Sequence, residues 1–304
     1  LDEQPKAPLL CIDEFPYLVA TDPSLPSVLQ KWLDHRKNPA AAVILAGSST
    51  RMMNGLFLDR GAPLYGRARK IIKLAPMSYR AFCDGCRQNP LKRESFTKFA
   101  MVGGVPKYWE LVERNQSAVE LAEALFFGTS PFLEFEPSRL LKDEDITGVT
   151  APAVLEVVGR GASKPSEVAA RLGTPQTNLS RLFQVLLDAG LLERQLPYGE
   201  SLRSTKRTLY RIAEPMLRFW YHVYSPHRTR WSGYSEVFKQ KLLDDHASTV
   251  FEDQLRASWP DAARYWEAGV ELDLVRPDAN GLVIAEIKWA RLNQRDYARE
   301  LEAL

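Results

Sequence analysis

Three charged residues interrupt an apolar pattern near the end of the chain: Asp273, Glu286 and Lys288. Two carboxylates and an ammonium at one place suit phosphodiester chemistry. Carboxylate oxygens are hard ligands for Mg2+. A bound metal activates water and stabilises charge developing on a phosphate. The lysine stabilises the same charge or helps deprotonate the water. Glu252, upstream in Phe251-Glu252-Asp253-Gln254-Leu255, is a further acid that a helix could bring to the spot. The plainer alternative is a strand pair with a surface salt bridge, which is common and contributes little.

The elements that would position these residues read as a β-hairpin. Leu272, Leu274 and Val275 form one strand, Pro277 to Gly281 are turn formers, and Leu282 to Ile287 form the second strand. Residues two apart on a strand share a face, so Glu286 and Lys288 are neighbours while Ile287 points into the core. If the strands pair, Asp273 reaches the same face. The arrangement resembles the PD-(D/E)XK nuclease core, with Asp273 as its first acid, Glu286-Ile287-Lys288 as its E-x-K and Glu252 as its helix acid. That resemblance implies a restriction-endonuclease-like α/β domain over 251–304, with Mg2+ held by Asp273 and Glu286.

A second acid pair closes the first apolar run, Leu9-Leu10-Cys11-Ile12-Asp13-Glu14. Four apolar residues between turn formers predict a buried parallel strand. In P-loop NTPases this is the Walker B position, where Asp13 would serve Mg2+ and Glu14 would polarise the attacking water. A helix over 28–37 and a second strand over 41–46 follow. That strand ends in Gly47-Ser48-Ser49-Thr50, where Ser48 or Ser49 could sense a γ-phosphate. The sequence holds no G-x-x-x-x-G-K-[ST]. The expectation is therefore that a phosphate-binding strand and helix precede Leu1, and that ATP is a cofactor of the longer protein only. The tail 291–304 reads as a helix with no closing strand after it.

Residues 71–77 read as another strand, and 92–127 as a mostly helical lid. The acid-rich 134–145 reads as an exposed connector. Arg67 and Arg69 could face a phosphate, or could be solvated or paired with acids. Residues 151–159, 164–173 and 174–189 then give three helices, the second with Pro165 at its first position and the third stopped by Gly190. Two strands, 191–196 and 207–212, flank a polar loop. Three helices and a hairpin make a winged helix-turn-helix. Residues 164–212 carry eight Lys/Arg and four Asp/Glu, a local +4 in a chain of net charge +2. Gln176, Asn178 and Arg181 suit contacts in a DNA groove, and Arg203, Lys206 and Arg207 in the wing suit phosphates. Winged helices also serve as protein-docking modules, so that alternative stays open.

The aromatic run within 213–246 reads as core rather than as a base-stacking platform. Cys11 reads as a small core residue, and Cys83 and Cys86 as a C-x-x-C without the further ligands a zinc site needs. His222 and His227 have no partner at ligand spacing. No apolar run reaches the roughly 20 residues that span a bilayer. Cysteine usage fits a reducing cytoplasm.

Taken in order, the motifs Ile12-Asp13-Glu14-Phe15-Pro16, Ile44-Leu45-Ala46-Gly47-Ser48-Ser49, Leu64-Tyr65-Gly66-Arg67, Gly103-Gly104-Val105-Pro106-Lys107-Tyr108, Phe219-Trp220-Tyr221 and Glu286-Ile287-Lys288-Trp289 resemble the archaeal-type ATPase family related to AAA and STAND proteins. The resemblance implies an α/β multidomain chain: half of a P-loop NTPase core (1–80), a helical lid (81–145), a winged helix (146–214), a helical connector (215–250) and the nuclease-like domain. It further implies Mg2+ use and a cytoplasmic location; the winged helix points to double-stranded DNA as partner, and homo-oligomers stay open. Two functions stay open. One is an ATP-regulated DNA-binding protein with a Mg2+-dependent nuclease domain. The other is a DNA-binding regulator or STAND-type switch whose nuclease fold is inactive.

Overall fold

The computed structural model describes residues 8–35, 41–203, 205, 207–267 and 269–290. At the N-terminal end, β1 (Leu9–Ile12) pairs in parallel with β2 (Ala42–Leu45), in the register Leu9 to Ala42 through Ile12 to Leu45. Parallel strands need a crossover, and α1 (Phe15–Thr21) and α2 (Leu25–His35) supply it. The strands are not buried as expected. Leu9 and Ile44 are more than half exposed, and Cys11 is exposed rather than in the core. A two-stranded sheet has one neighbour per strand, and alternate side chains of the pleat stay in water. The helix α3 (Thr50–Phe57) follows β2.

Residues 71–77 form no strand. Ile71, Ile72, Leu74 and Met77 are exposed, and among the described residues no strand lies beside them. The segment is held at its end, where the Met77 amide donates to the Gly104 carbonyl at 2.8 Å. Gly104 has to be glycine, since a Cβ there would lie 2.4 Å from the Met77 carbonyl oxygen.

The core lies in the helices that follow: α4 (Tyr79–Gly85), α5 (Arg93–Val102), α6 (Pro106–Trp109), α7 (Ala118–Ala122) running into a π-helical turn at Glu123–Phe127, and α8 (Glu136–Asp143). Residues Ser95 to Val102 are buried all round α5, so that helix is enclosed rather than amphipathic. Phe82, Phe99, Phe126 and Phe219 are all but fully buried in one continuous cluster. Each such side chain contributes roughly 1.5–3 kcal/mol through burial.

The winged helix is present as read. It comprises α9 (Thr150–Gly159), α10 (Pro165–Arg171), α11 (Gln176–Asp188) and the antiparallel pair β3 (Leu192–Gln195) and β4 (Leu209–Ile212). Leu179, Phe183 and Leu186 form the buried stripe of α11. The aromatic run is core, as read. It forms α12 (Pro215–Phe219), a π-helical turn at Trp220–Tyr224 and the short α13 (Ser225–His227). The 22-residue α14 (Glu236–Ala257) then packs on α5 and carries the chain about 33 Å at 1.5 Å per residue.

The C-terminal sheet has order β5-β6-β7: β5 (Ala263–Glu267), β6 (Val270–Asp278) and β7 (Gly281–Ala285), all antiparallel. The hairpin turn is only Ala279-Asn280, so Pro277 belongs to the strand, opposite Leu282, rather than to the turn. Strand β7 ends at Ala285, two residues earlier than expected. Ile287 is buried, as the alternation predicts. The helix expected over 291–304 lies outside the described residues. Among the described residues no helix is long and apolar enough to cross a membrane.

Candidate nucleic-acid interface and two acidic corners

Burying Leu179, Phe183 and Leu186 turns the opposite face of α11 outward. Gln176, Thr177, Asn178, Ser180, Arg181 and Gln184 are exposed along it. A helix whose first turns present amide, hydroxyl and guanidinium groups has the donors and acceptors that base edges and phosphates require.

The wing differs. The Tyr198 amide donates to the Arg264 carbonyl on β5 at 2.7 Å, so the wing lies along the edge of the C-terminal sheet. Arg207, expected to meet phosphate, is taken up there. It pairs with Glu200, reaches Glu267 at 2.8 Å and donates to the Trp266 carbonyl at 3.4 Å. A guanidinium holding two carboxylates is already neutralised, which corrects its assignment. Arg203 remains exposed. Lys206 lies outside the described residues.

Behind the wing, Asp253 of α14 collects three arginines: Arg211 of β4, Arg218 of α12 at 2.7 Å and Arg256 at 3.0 Å. Burial pulls the Asp253 carboxyl up, but Arg218 and Arg211 outweigh it and hold it below the usual range. Arg211 is pushed down to about 10 by burial and by the neighbouring Arg218. The network ties winged helix, connector and C-terminal sheet together. Sequence reasoning missed it; the signal was Arg218 inside a run of buried aromatic residues.

The C-terminal acidic corner is partly assembled. Leu274 pairs with Ala285 at the last rung of the ladder, so Asp273 and Glu286 lie just past its end. Glu252, on α14, is close enough to feel Asp273. Burial first and the Asp273 charge second push its carboxyl up to about 7, against the pull of Arg264 and Arg256. Yet among the described residues no three His, Cys, Asp or Glu side chains form a metal-holding group. The expected convergence of Glu252, Asp273, Glu286 and Lys288 resolves into two pairs. Asp273 Oδ2 accepts the Ile287 amide at 2.9 Å, and Glu286 Oε1 accepts Lys288 Nζ at 2.7 Å. The donor type suits Mg2+, but the gathered number does not, so the metal assignment to Asp273 and Glu286 does not fit this geometry.

The N-terminal corner joins two residues that the sequence offers for separate roles. Glu14 caps β1 in a left-handed conformation (φ 50°), and its Oε2 accepts the Ser48 amide at 3.2 Å and the Ser48 hydroxyl at 3.0 Å. Asp13 Oδ1 accepts the Glu14 amide at 2.9 Å. Ser49 does something else. It is buried, caps α3 by accepting the Met52 amide, and donates to Glu144 at 2.8 Å. Glu144 also accepts the Thr50 amide at 3.0 Å and the Arg51 amide at 3.2 Å. An anion at a helix N-terminus is favoured by the orphan amides and the dipole, which assigns Ser49 to capping rather than to nucleotide sensing. Glu136 and Glu144 are buried, so 134–145 is not an exposed connector. Arg67 grips Asp34 with two hydrogen bonds, 2.9 and 2.8 Å, the acid-paired alternative. The corner sets a carboxylate beside a hydroxyl at the ends of adjacent strands.

One buried carboxyl was missed outright. Glu214 begins α12, accepts the Leu217 amide at 2.8 Å, and is pushed up to about 8 by burial. Gly103 leaves room for it, because a Cβ there would fall 2.0 Å from Glu214 Oε1. The Gly103-Gly104-Val105-Pro106-Lys107-Tyr108 motif therefore builds a joint. Tyr108 donates to Glu136, and Arg139 pairs with that same acid.

Comparison with known proteins supports the two halves differently. The MarR family pattern matches residues 144–199, the segment folded as α9 to β3 and the start of the wing. A family described as archaeal and bacterial proteins of unknown function matches 220–299. An uncharacterized protein of Methanocaldococcus jannaschii is 25% identical over 97% of this chain and 70% of its own length. The solved Walker-type ATPase of Pyrococcus abyssi is similar in fold, with a TM-score of 0.50 at 15% identity, over 71% of this chain. The chain spans 63% of that solved protein's length. These likenesses show a mixed α/β fold shared with that solved protein, and a winged helix that matches the MarR pattern over 144–199.

Proposed function

We propose that this chain is a double-stranded-DNA-binding protein on an ATPase-type scaffold, and that α11 is its reading element. The observation that carries the reading is the open polar face of α11 on a MarR-type winged helix. The major groove admits one α-helix, and the N-terminal part of such a helix contacts base edges. Gln176 and Asn178 can pair with adenine and Arg181 with guanine or phosphate, while Arg203 approaches the backbone. Asp253 fixes the reading helix against the rest of the chain through β4 and α12. Ser49 and Glu144 join the candidate ATPase corner to the start of the winged helix, so a nucleotide-dependent change there would be felt by it. The test is fluorescence anisotropy with labelled duplex DNA. Binding that persists in excess unlabelled protein competitor but is lost in Arg181→Glu supports the reading. No binding by the parent chain at low salt rejects it.

A second reading, cleavage of phosphodiesters by the C-terminal domain, draws on Asp273 accepting the Ile287 amide beside Glu286 and on Glu252, whose carboxyl is pushed up to about 7 by burial and by Asp273. It requires the Glu286–Lys288 pair to open. Incubating duplex and single-stranded DNA with Mg2+ or Mn2+ tests it: cutting abolished by Glu286→Gln supports it, and intact DNA in every combination ends it.

A further inference from the structure

A second surface, separate from α11, has the chemistry of a nucleic-acid site. The loop between α4 and α5 faces the chain leaving β7 across a cavity of about 670 Å3. Four of its lining residues are basic, Arg80, Lys92, Arg93 and Lys288, and none is acidic. Its apolar wall is aromatic. Trp289 lies 5.2 Å from Phe96 and 5.0 Å from Phe251, ring centre to ring centre, and Arg93 stacks over the indole at 4.3 Å. The Trp289 indole N–H is buried and has no hydrogen-bond partner among the described residues. A buried donor without a partner is costly.

The basic groups differ in how they are held: Arg93 reaches Asp244 at 3.4 Å and the Trp289 carbonyl at 3.3 Å, and Lys288 bonds Glu286 at 2.7 Å. Arg80 meets Asp84 at 3.4 Å with both side chains mostly in water, a pairing of small worth. Cations around an aromatic wall match a ligand with flat rings and spaced negative charges. A neighbouring cavity of about 770 Å3 shares Leu91, Lys92 and Arg93. Glu94 and Asp244 make that one mixed in charge.

We infer that this trough binds single-stranded nucleic acid, with a base at the edge of the aromatic wall that Trp289 closes and phosphates toward Arg80 and Lys92. Stacking platforms inside a basic groove are the usual means of holding an unpaired strand. Lys288 also bonds Glu286, so a strand leaving the trough passes the C-terminal acidic corner. The inference stands without the duplex reading, because none of these residues belongs to the winged helix.

The test is anisotropy of the full chain with a fluorescein-labelled oligothymidylate. The double variant Arg80→Glu, Lys92→Glu should weaken binding at least about tenfold and leave duplex affinity unchanged. Trp289→Ala should weaken it by roughly five- to a hundredfold, with Trp289→Phe retaining most of the affinity and reporting that the fold is intact. An affinity unchanged in the double variant overturns the inference. So does loss of oligothymidylate binding in Arg181→Glu instead, which would place the strand on α11, or full competition by thymidine monophosphate at strand-like concentrations. Loss of duplex binding with oligothymidylate binding intact would sink the duplex reading alone.

Discussion

The reading helix and the wing belong to one module and look alike as sequence, since each offers basic and polar residues between apolar ones. In the fold they differ. The polar face of α11 is open, whereas the wing lies on β5 with Arg207 held by Glu200 and Glu267. The difference teaches that a charge is available to DNA only where no carboxylate of the same chain reaches it first. Local charge balance cannot show this, because Glu267 lies 60 residues beyond Arg207 and in another sheet.

The largest effect expected is on the wing side. Asp253→Ala leaves Arg211, Arg218 and Arg256 clustered without their acid and should cost about 3–5 kcal/mol, read as a drop in the urea midpoint. The comparison sharpens if the surviving folded protein keeps its duplex affinity, since the anchor is then structural. Glu214 is the other anchor, and its effect has the opposite sign. Its folded carboxyl sits at about 8 against an ordinary 4.5. The folded state therefore keeps a proton that the unfolded chain releases, and stability falls as pH rises through that window, by about 1.4 kcal/mol per unit. Glu214→Gln should flatten this loss and raise the melting temperature at pH 8 more than at pH 5. A parallel pair of pH profiles would show that Glu214 is charged when folded.

Next comes the open face. Arg181→Ala should weaken duplex binding by about 1–3 kcal/mol and leave the urea midpoint unchanged, because the side chain is exposed. The smallest effect belongs to Arg203→Ala. One exposed phosphate contact should lower affinity only a few-fold at low salt, and lower the salt slope by about one. An Arg203 effect larger than that of Arg181 would break the comparison, because the wing would then be the main contact.

Much of the fold was legible, for local reasons. The parallel pair β1 and β2, the three helices and hairpin, and the buried aromatic run follow from apolar spacing, Pro165 and Gly190. That Glu14 and Ser48 end neighbouring strands was legible; their hydrogen bond was not. What failed was non-local. Whether Leu9, Cys11 and Ile72 are buried depends on which strands stand beside them, and apolar character alone cannot tell. Ser49 looked equivalent to Ser48, but one residue's difference points it at α3 and Glu144. Asp273 lies on the expected strand, but Glu286 and Lys288 fall past the end of β7, and the closest partners of the three are the Ile287 amide and one another.

The central claim is that α11, and not the wing, holds DNA. The direct measurement is duplex affinity against salt for the parent, Arg181→Glu and Arg207→Ala, with folding checked by circular dichroism. The account predicts at least about tenfold weaker binding for Arg181→Glu and a change within about twofold for Arg207→Ala, with the parent slope retained in the latter. Normal binding by Arg181→Glu together with loss in folded Arg207→Ala would contradict it.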